Sequence, residues 1–147
     1  MLLPVGHEVI VYRDKSVIAS DTSLWLLRHW FLISCSSFVA TSKEHEEILL
    51  ELRRYFEQWE WLGPGVITGI DLDAILPENS PERRGLYLQL VRSVESLIGR
   101  YGQTIPLDYL ERNITVAEGI HFASETPTAP LLRTLAKLVE LVEPTLP

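Results

Sequence analysis

From Leu24 to Val39 the chain reads LWLLRHWFLISCSSFV, and between Leu24 and Ile33 only Arg28 and His29 interrupt the apolar positions. A helix built from such a run has no wide solvated face and is expected at the centre of the fold. The segments on either side behave differently. Each carries one apolar stripe at three- and four-residue intervals, the pattern of elements that pack around a buried member. The spacing predicts helices near residues 22–36, 42–62, 81–101, 106–113 and 130–143.

The local signals along the chain agree with that division. Glu8–Tyr12 and Ser16–Ala19 are short β-branched runs separated by Arg13, Asp14 and Lys15, which predicts an N-terminal β-hairpin. Asp21, Thr22 and Ser23 offer N-caps for the central helix, and Thr41 with Glu44 has the spacing of a capping box for the next. In that second helix Ile48, Leu49, Leu52, Tyr55, Phe56, Trp59 and Leu62 share a face, and Gly63-Pro64-Gly65 stops it. Val66 to Leu76 reads as a connection with at most one helical turn. Ser80-Pro81 and Pro106 mark the next two helix starts, with Gly102 ending the first, and Pro130 and Pro144 bracket the last. Ile114 to Ser124 fits either a capped helix start at Thr115 and Glu118 or a small hairpin about Gly119.

A length of 147 residues is that of one domain able to bury a core without staples. The fold class expected is therefore a mainly α-helical single domain, a bundle around a buried central helix with a small β-hairpin at its start. Cys35 is the one cysteine, so the chain forms no internal disulfide, and a reducing, cytoplasmic setting is expected. The central apolar run is shorter than a membrane crossing needs and is interrupted by Arg28 and His29, so no membrane association is expected.

Charge changes the picture more. The net charge is −7, and it is regional: Glu44 to Glu82 holds ten acids against two bases, whereas the rest of the chain nearly balances. A phosphate backbone calls for the opposite sign, so nucleic acid is not an expected ligand, and a basic protein is the natural complement. Within the acidic stretch, EQWEWLGPG places Trp59 on the apolar stripe and Trp61 about 200° from it, beside Glu57, Leu50 and Arg54. Trp61 reads either as folded back under the Gly-Pro-Gly turn or as an aromatic anchor for a partner.

Catalytic chemistry is not specified. His45 in KEHEE lacks a second histidine four positions on, His29 is read as a hydrogen-bonded core residue, and His7 and His121 have no partner at fixed spacing. Asp71 and Asp73 form an Asp-x-Asp pair, which by itself can hold a divalent metal, but no glycine-rich phosphate cradle accompanies it. No enzyme activity, metal or cofactor is expected.

In general character the chain resembles the small acidic immunity proteins of bacterial contact-dependent and other polymorphic toxin systems: one acidic domain, no catalytic constellation, and carboxylates concentrated between Glu44 and Glu82 around Trp61. That resemblance implies a stoichiometric inhibitor that binds a basic, nuclease-like toxin domain, with Glu57, Glu60, Trp61, Asp71 and Asp73 as the expected contact region. Two other classes are weighed beside it. One is an adaptor or regulatory subunit acting as a homo-oligomer, and the other an enzyme using Asp71 and Asp73 with a divalent metal.

Overall fold

A computed structural model describes residues 7–58, 70–77, 80–114, 122 and 124–143. The chain opens with β1 (His7–Tyr12) and β2 (Lys15–Ser20), an antiparallel hairpin in which Tyr12 pairs with Lys15 across a two-residue turn. Arg13 holds that turn at φ 55°, and its guanidinium lies over the Tyr12 ring. The hairpin alternates as a half-buried sheet should: Ile10, Tyr12 and Ala19 face inward, while Val9 and Ile18, directly paired, face out. A third strand, β3 (Ile70–Asp71), adds parallel to β1 opposite Ile10 and Val11 and runs into a 3-10 turn over Leu72–Ala74. The sequence pattern marked this stretch as a connection, because two residues carry no period and the neighbouring strand alone makes them extended.

The predicted helices are present; four of their starts differ by one or two residues, and the one predicted from 81 starts at Pro81 and ends at Gly99, two residues before the predicted 101. α1 (Asp21–Ser37) is capped by Ser20, whose Oγ accepts from the Ser23 amide, so the cap falls one residue before the three candidates. α2 (Lys43–Glu57) is capped by Ser42, accepting from the His45 amide, and Thr41 is not the cap. α3 (Pro81–Gly99) has Pro81 in its first turn, yet Ser80 makes no side-chain cap bond. Gly102, at φ 78°, closes the turn after it. α4 (Leu107–Asn113) follows Pro106, and α5 (Thr128–Val142) starts two residues ahead of Pro130, which is tolerated because the first-turn amides have no helical acceptor. The predicted end of the second helix at 62 and its stop at Gly63-Pro64-Gly65, the alternatives for Ile114–Ser124 apart from Ile114, Phe122 and Ser124, and Pro144 lie outside the described residues.

α1 is the central element, packing against α2, α3, α5 and β2. Leu24, Leu27, Trp30 and Phe31 are essentially inaccessible. Phe31 stacks on Phe56 of α2, which in turn stacks on Tyr87 of α3, joining three helices through one aromatic column. The helix is not enclosed on every side: residues 28, 29, 32, 33, 36 and 37, spaced by four along it, leave a narrow open stripe. Ser34 and Ser93 satisfy each other between α1 and α3 at 3.1 Å. A short clasp, β4 (Thr104–Ile105) against β5 (Thr126–Pro127), fixes the start of α5 near the end of α3, where Thr128 bonds the Gly102 and Gln103 carbonyls. Lys137 of α5 donates to the Ile18 carbonyl of β2 and so ties the last helix to the hairpin. Among the described residues no helix is long and apolar enough to cross a membrane.

Candidate functional site: the acidic helix face and the hairpin turn

α2 turns Ile48, Leu49, Leu52 and Phe56 into the core, which leaves its opposite side in solvent. Helical spacing puts Glu46, Glu47, Leu50 and Glu57 along the middle of that outer side, together with Lys43 and Arg54. Leu50 is 48% exposed, an apolar residue surrounded by charged ones. Two ion pairs already engage four charges: Arg53 pairs with Glu57 at 3.2 Å along the helix, and Glu51 pairs with Arg83 of α3. The hydrogen bond from Arg83 holds the Glu51 carboxyl below its usual range. Glu44 and Glu46, in the first turn, also favour the positive end of the helix dipole, so part of the acidity serves the helix itself.

The other sequence-selected acids lie against the hairpin. Asp71 Oδ1 accepts from the Asp73 amide at 3.0 Å and caps the 3-10 turn, and Asp73 Oδ2 accepts from the Arg13 amide at 2.8 Å. Each aspartate therefore supports backbone. The described members of the expected contact region sit on two elements, Glu57 on α2 and Asp71 and Asp73 beside the hairpin turn. Glu60 and Trp61 lie outside the described residues. No group of three histidine, cysteine or acidic side chains able to hold a metal occurs among the described residues.

Cys35 and the histidines have structural surroundings. Burial pushes the Cys35 thiol up to about 11, which keeps it protonated at neutral pH. His45 Nδ1 accepts from the Thr41 amide at 3.2 Å and its ring meets Phe38 edge-on, so it secures the entry to α2. His29 Nε2 shares a hydrogen bond of 2.8 Å with the Tyr109 hydroxyl, within an aromatic group that includes Trp30 and Tyr101. Burial, and then the neighbouring Arg28 charge, lower the His29 pKa, and burial raises Tyr109 to about 12. Tyr109 is thus a phenol at neutral pH, joining α4 to α1 through a neutral imidazole. Sequence reading gave His29 this kind of bonded role, but its partner, eighty residues away, had no signal in the sequence. The described side of His7 is its backbone in β1, and His121 lies outside the described residues.

No protein-family model, curated protein or solved structure matches this chain.

Proposed function

We propose that the chain is a non-enzymatic, cytoplasmic inhibitor of the immunity type, which binds a basic toxin domain through the outer face of α2. The observation that carries this reading is Leu50, half exposed with Glu46 and Glu47 one helical turn before it and Glu57 two turns after. Leu50 thus has an acidic flank at Glu46 and Glu47 and basic neighbours at Arg53 and Arg54, and the acidic flank suits a cationic partner: it speeds encounter and disfavours anionic competitors, while Leu50 supplies contact area. Asp71 and Asp73 form a second acidic point at the hairpin turn, and Glu60 and Trp61 remain in the proposed contact region. Neither nucleic acid nor a membrane is part of the proposal.

The test is affinity capture from the source cells using the wild-type chain and the Glu46→Gln/Glu47→Gln/Leu50→Ser variant in parallel. The reading expects one basic protein, held in equal proportion by the wild type, released by high salt and lost with the variant. Its activity must then fall on adding the purified chain. Recovery of the bait alone, or a captured protein whose activity is untouched, overturns it. A second reading, a homo-oligomeric adaptor, draws on the outward pair Val9 and Ile18, 45% and 57% exposed on one face of the hairpin. Concentration-dependent mass in sedimentation, abolished by Ile18→Thr, would favour that alternative.

A further inference from the structure

β2 is the outer strand of its sheet, whose order is β2-β1-β3. The strand is regular: its residues pair consecutively with β1 from Lys15 to Ser20, and neither a proline nor a bulge interrupts it. The two-residue turn fixes which backbone groups take part in that pairing. Tyr12 and Lys15 close the hairpin as a hydrogen-bonded pair, so Lys15, Val17 and Ala19 turn their amides and carbonyls to β1, and Ser16 and Ile18 turn theirs outward. Among the described residues the outward Ser16 and Ile18 amides meet no acceptor. The strand ends at Ser20, which caps α1. What remains is a free edge from Ser16 to Ile18, roughly 10 Å long.

One side chain reaches that edge from outside the sheet. Lys137 Nζ donates to the Ile18 carbonyl at 2.8 Å, and it forms no ion pair among the described residues. An ammonium has three N–H groups, so two remain. The lysine answers the carbonyl but not the two amides, which need acceptors. On the solvent face of the same edge lie the exposed side chains of Ile18 and its cross-strand partner Val9. The edge therefore offers two donors, a cation and an apolar surface.

We propose that this edge receives an extended segment of another protein as a further strand, one that alternates apolar and acidic residues. Its carbonyls accept from the Ser16 and Ile18 amides, and an apolar side chain lies on Ile18 and Val9. A carboxylate at the next position, which strand alternation turns to the face that α5 covers, takes the Lys137 ammonium as it leaves the Ile18 carbonyl. A second copy of this chain fits less well: β2 carries no carboxylate, and pairing edge to edge brings its own Lys137 against this one. A basic segment is repelled in the same way. The inference stands apart from the α2 outer face and does not rest on the inhibitor reading.

The experiment is a titration of the full chain with acetyl-Thr-Val-Glu-Val-Glu-Val-Thr-amide, read by amide hydrogen exchange and proton–nitrogen correlation. Binding is expected to slow exchange at Ser16 and Ile18 by at least about fivefold and to leave Val17 and Ala19, already bonded to β1, unchanged. The glutamine counterpart of the peptide should bind about threefold more weakly, the scale of an exposed charge pair, and the lysine counterpart more weakly still. Lys137→Glu should reverse the order of the glutamate and lysine peptides. Ser16→Pro removes an outward donor without touching the ladder to β1 and should weaken the glutamate peptide several-fold; it serves if Lys137→Glu folds poorly. No protection at Ser16 and Ile18 by about 5 mM peptide, equal binding of the glutamate and lysine peptides, or an order that Lys137→Glu leaves unchanged would overturn the proposal. Protection of the same amides without peptide, rising with protein concentration in step with mass in sedimentation, would give the edge to a second copy and overturn it as well.

Discussion

The aromatic column through α1, α2 and α3 yields a quantitative test of the packing. Phe31 and Phe56 are both fully buried, with ring centroids 4.2 Å apart and planes within 10° of parallel. Replacing either by leucine keeps most of the volume and removes the ring, so each single change should cost about 1–2 kcal/mol, well below the 3–5 of a truncation to alanine. The rings also interact with each other, and a stacked pair contributes about 0.5–1.5 kcal/mol beyond the area it buries. The Phe31→Leu/Phe56→Leu double variant should therefore be less destabilised than the two singles added together, by about 1 kcal/mol. Urea unfolding followed by circular dichroism, with the denaturant slope constant across the four proteins, measures that difference. A coupling below about 0.3 kcal/mol, the ordinary additivity limit, with both singles destabilised as expected, would show that the rings do not meet as described.

Asp71→Ala and Asp73→Ala should each cost about 1 kcal/mol by removing an acceptor from a backbone amide, whereas Asp71→Asn should cost less; equal stability of all three in urea would return these residues to a purely partner-facing role. His29, with a folded pKa below the ordinary 6.5, binds its proton more readily in the unfolded chain. The stability it permits is therefore present above about pH 6.5 and lost as the pH falls from there toward the folded value, so the wild type should lose more stability than His29→Gln between pH 7.5 and 5.5; parallel profiles would refute this. Lys137→Met frees the Ile18 carbonyl at the outer edge of the sheet, beside an exposed isoleucine, and should raise self-association in light scattering, with no change expected from Arg133→Met on the same helix.

The helical scaffold was readable because its signal is carried by many residues at once. Leu24 to Ile33 has too little polarity for a surface helix, and the stripes of α2, α3 and α5 repeat over several turns, so an error at one position does not change the outcome. The caps were less readable, since Thr41, Ser42 and Asp21 to Ser23 are chemically alike and the backbone path selects among them. β3 left no mark because its two residues become a strand only beside Ile10 and Val11. The open stripe of α1 was hidden for a similar reason. Arg28 and His29 looked like interruptions of an apolar run, although Arg28, Leu32 and Ser36, and likewise His29, Ile33 and Ser37, recur every four residues and trace one face. What the sequence lacked was the approach of Arg53, which tertiary packing brings to Ser36. Among the selected acids, spacing identified exposed carboxylates at Glu57, Asp71 and Asp73 but could not say that backbone amides engage two of them, the Asp73 amide on Asp71 and the Arg13 amide on Asp73.

The bond from Lys137 to the Ile18 carbonyl spans 119 positions of sequence. At a synthesis rate of about 5–20 residues per second, the hairpin leaves the ribosome roughly 6–24 s before the helix that covers it. During that interval the inward side of β2 and the flank of α1 that meets α5 have no permanent cover, and the nascent chain is a natural client for chaperones. α5 is the element that covers both, and a chain cut before Leu131 would leave the inward side of β2 and that flank of α1 without it.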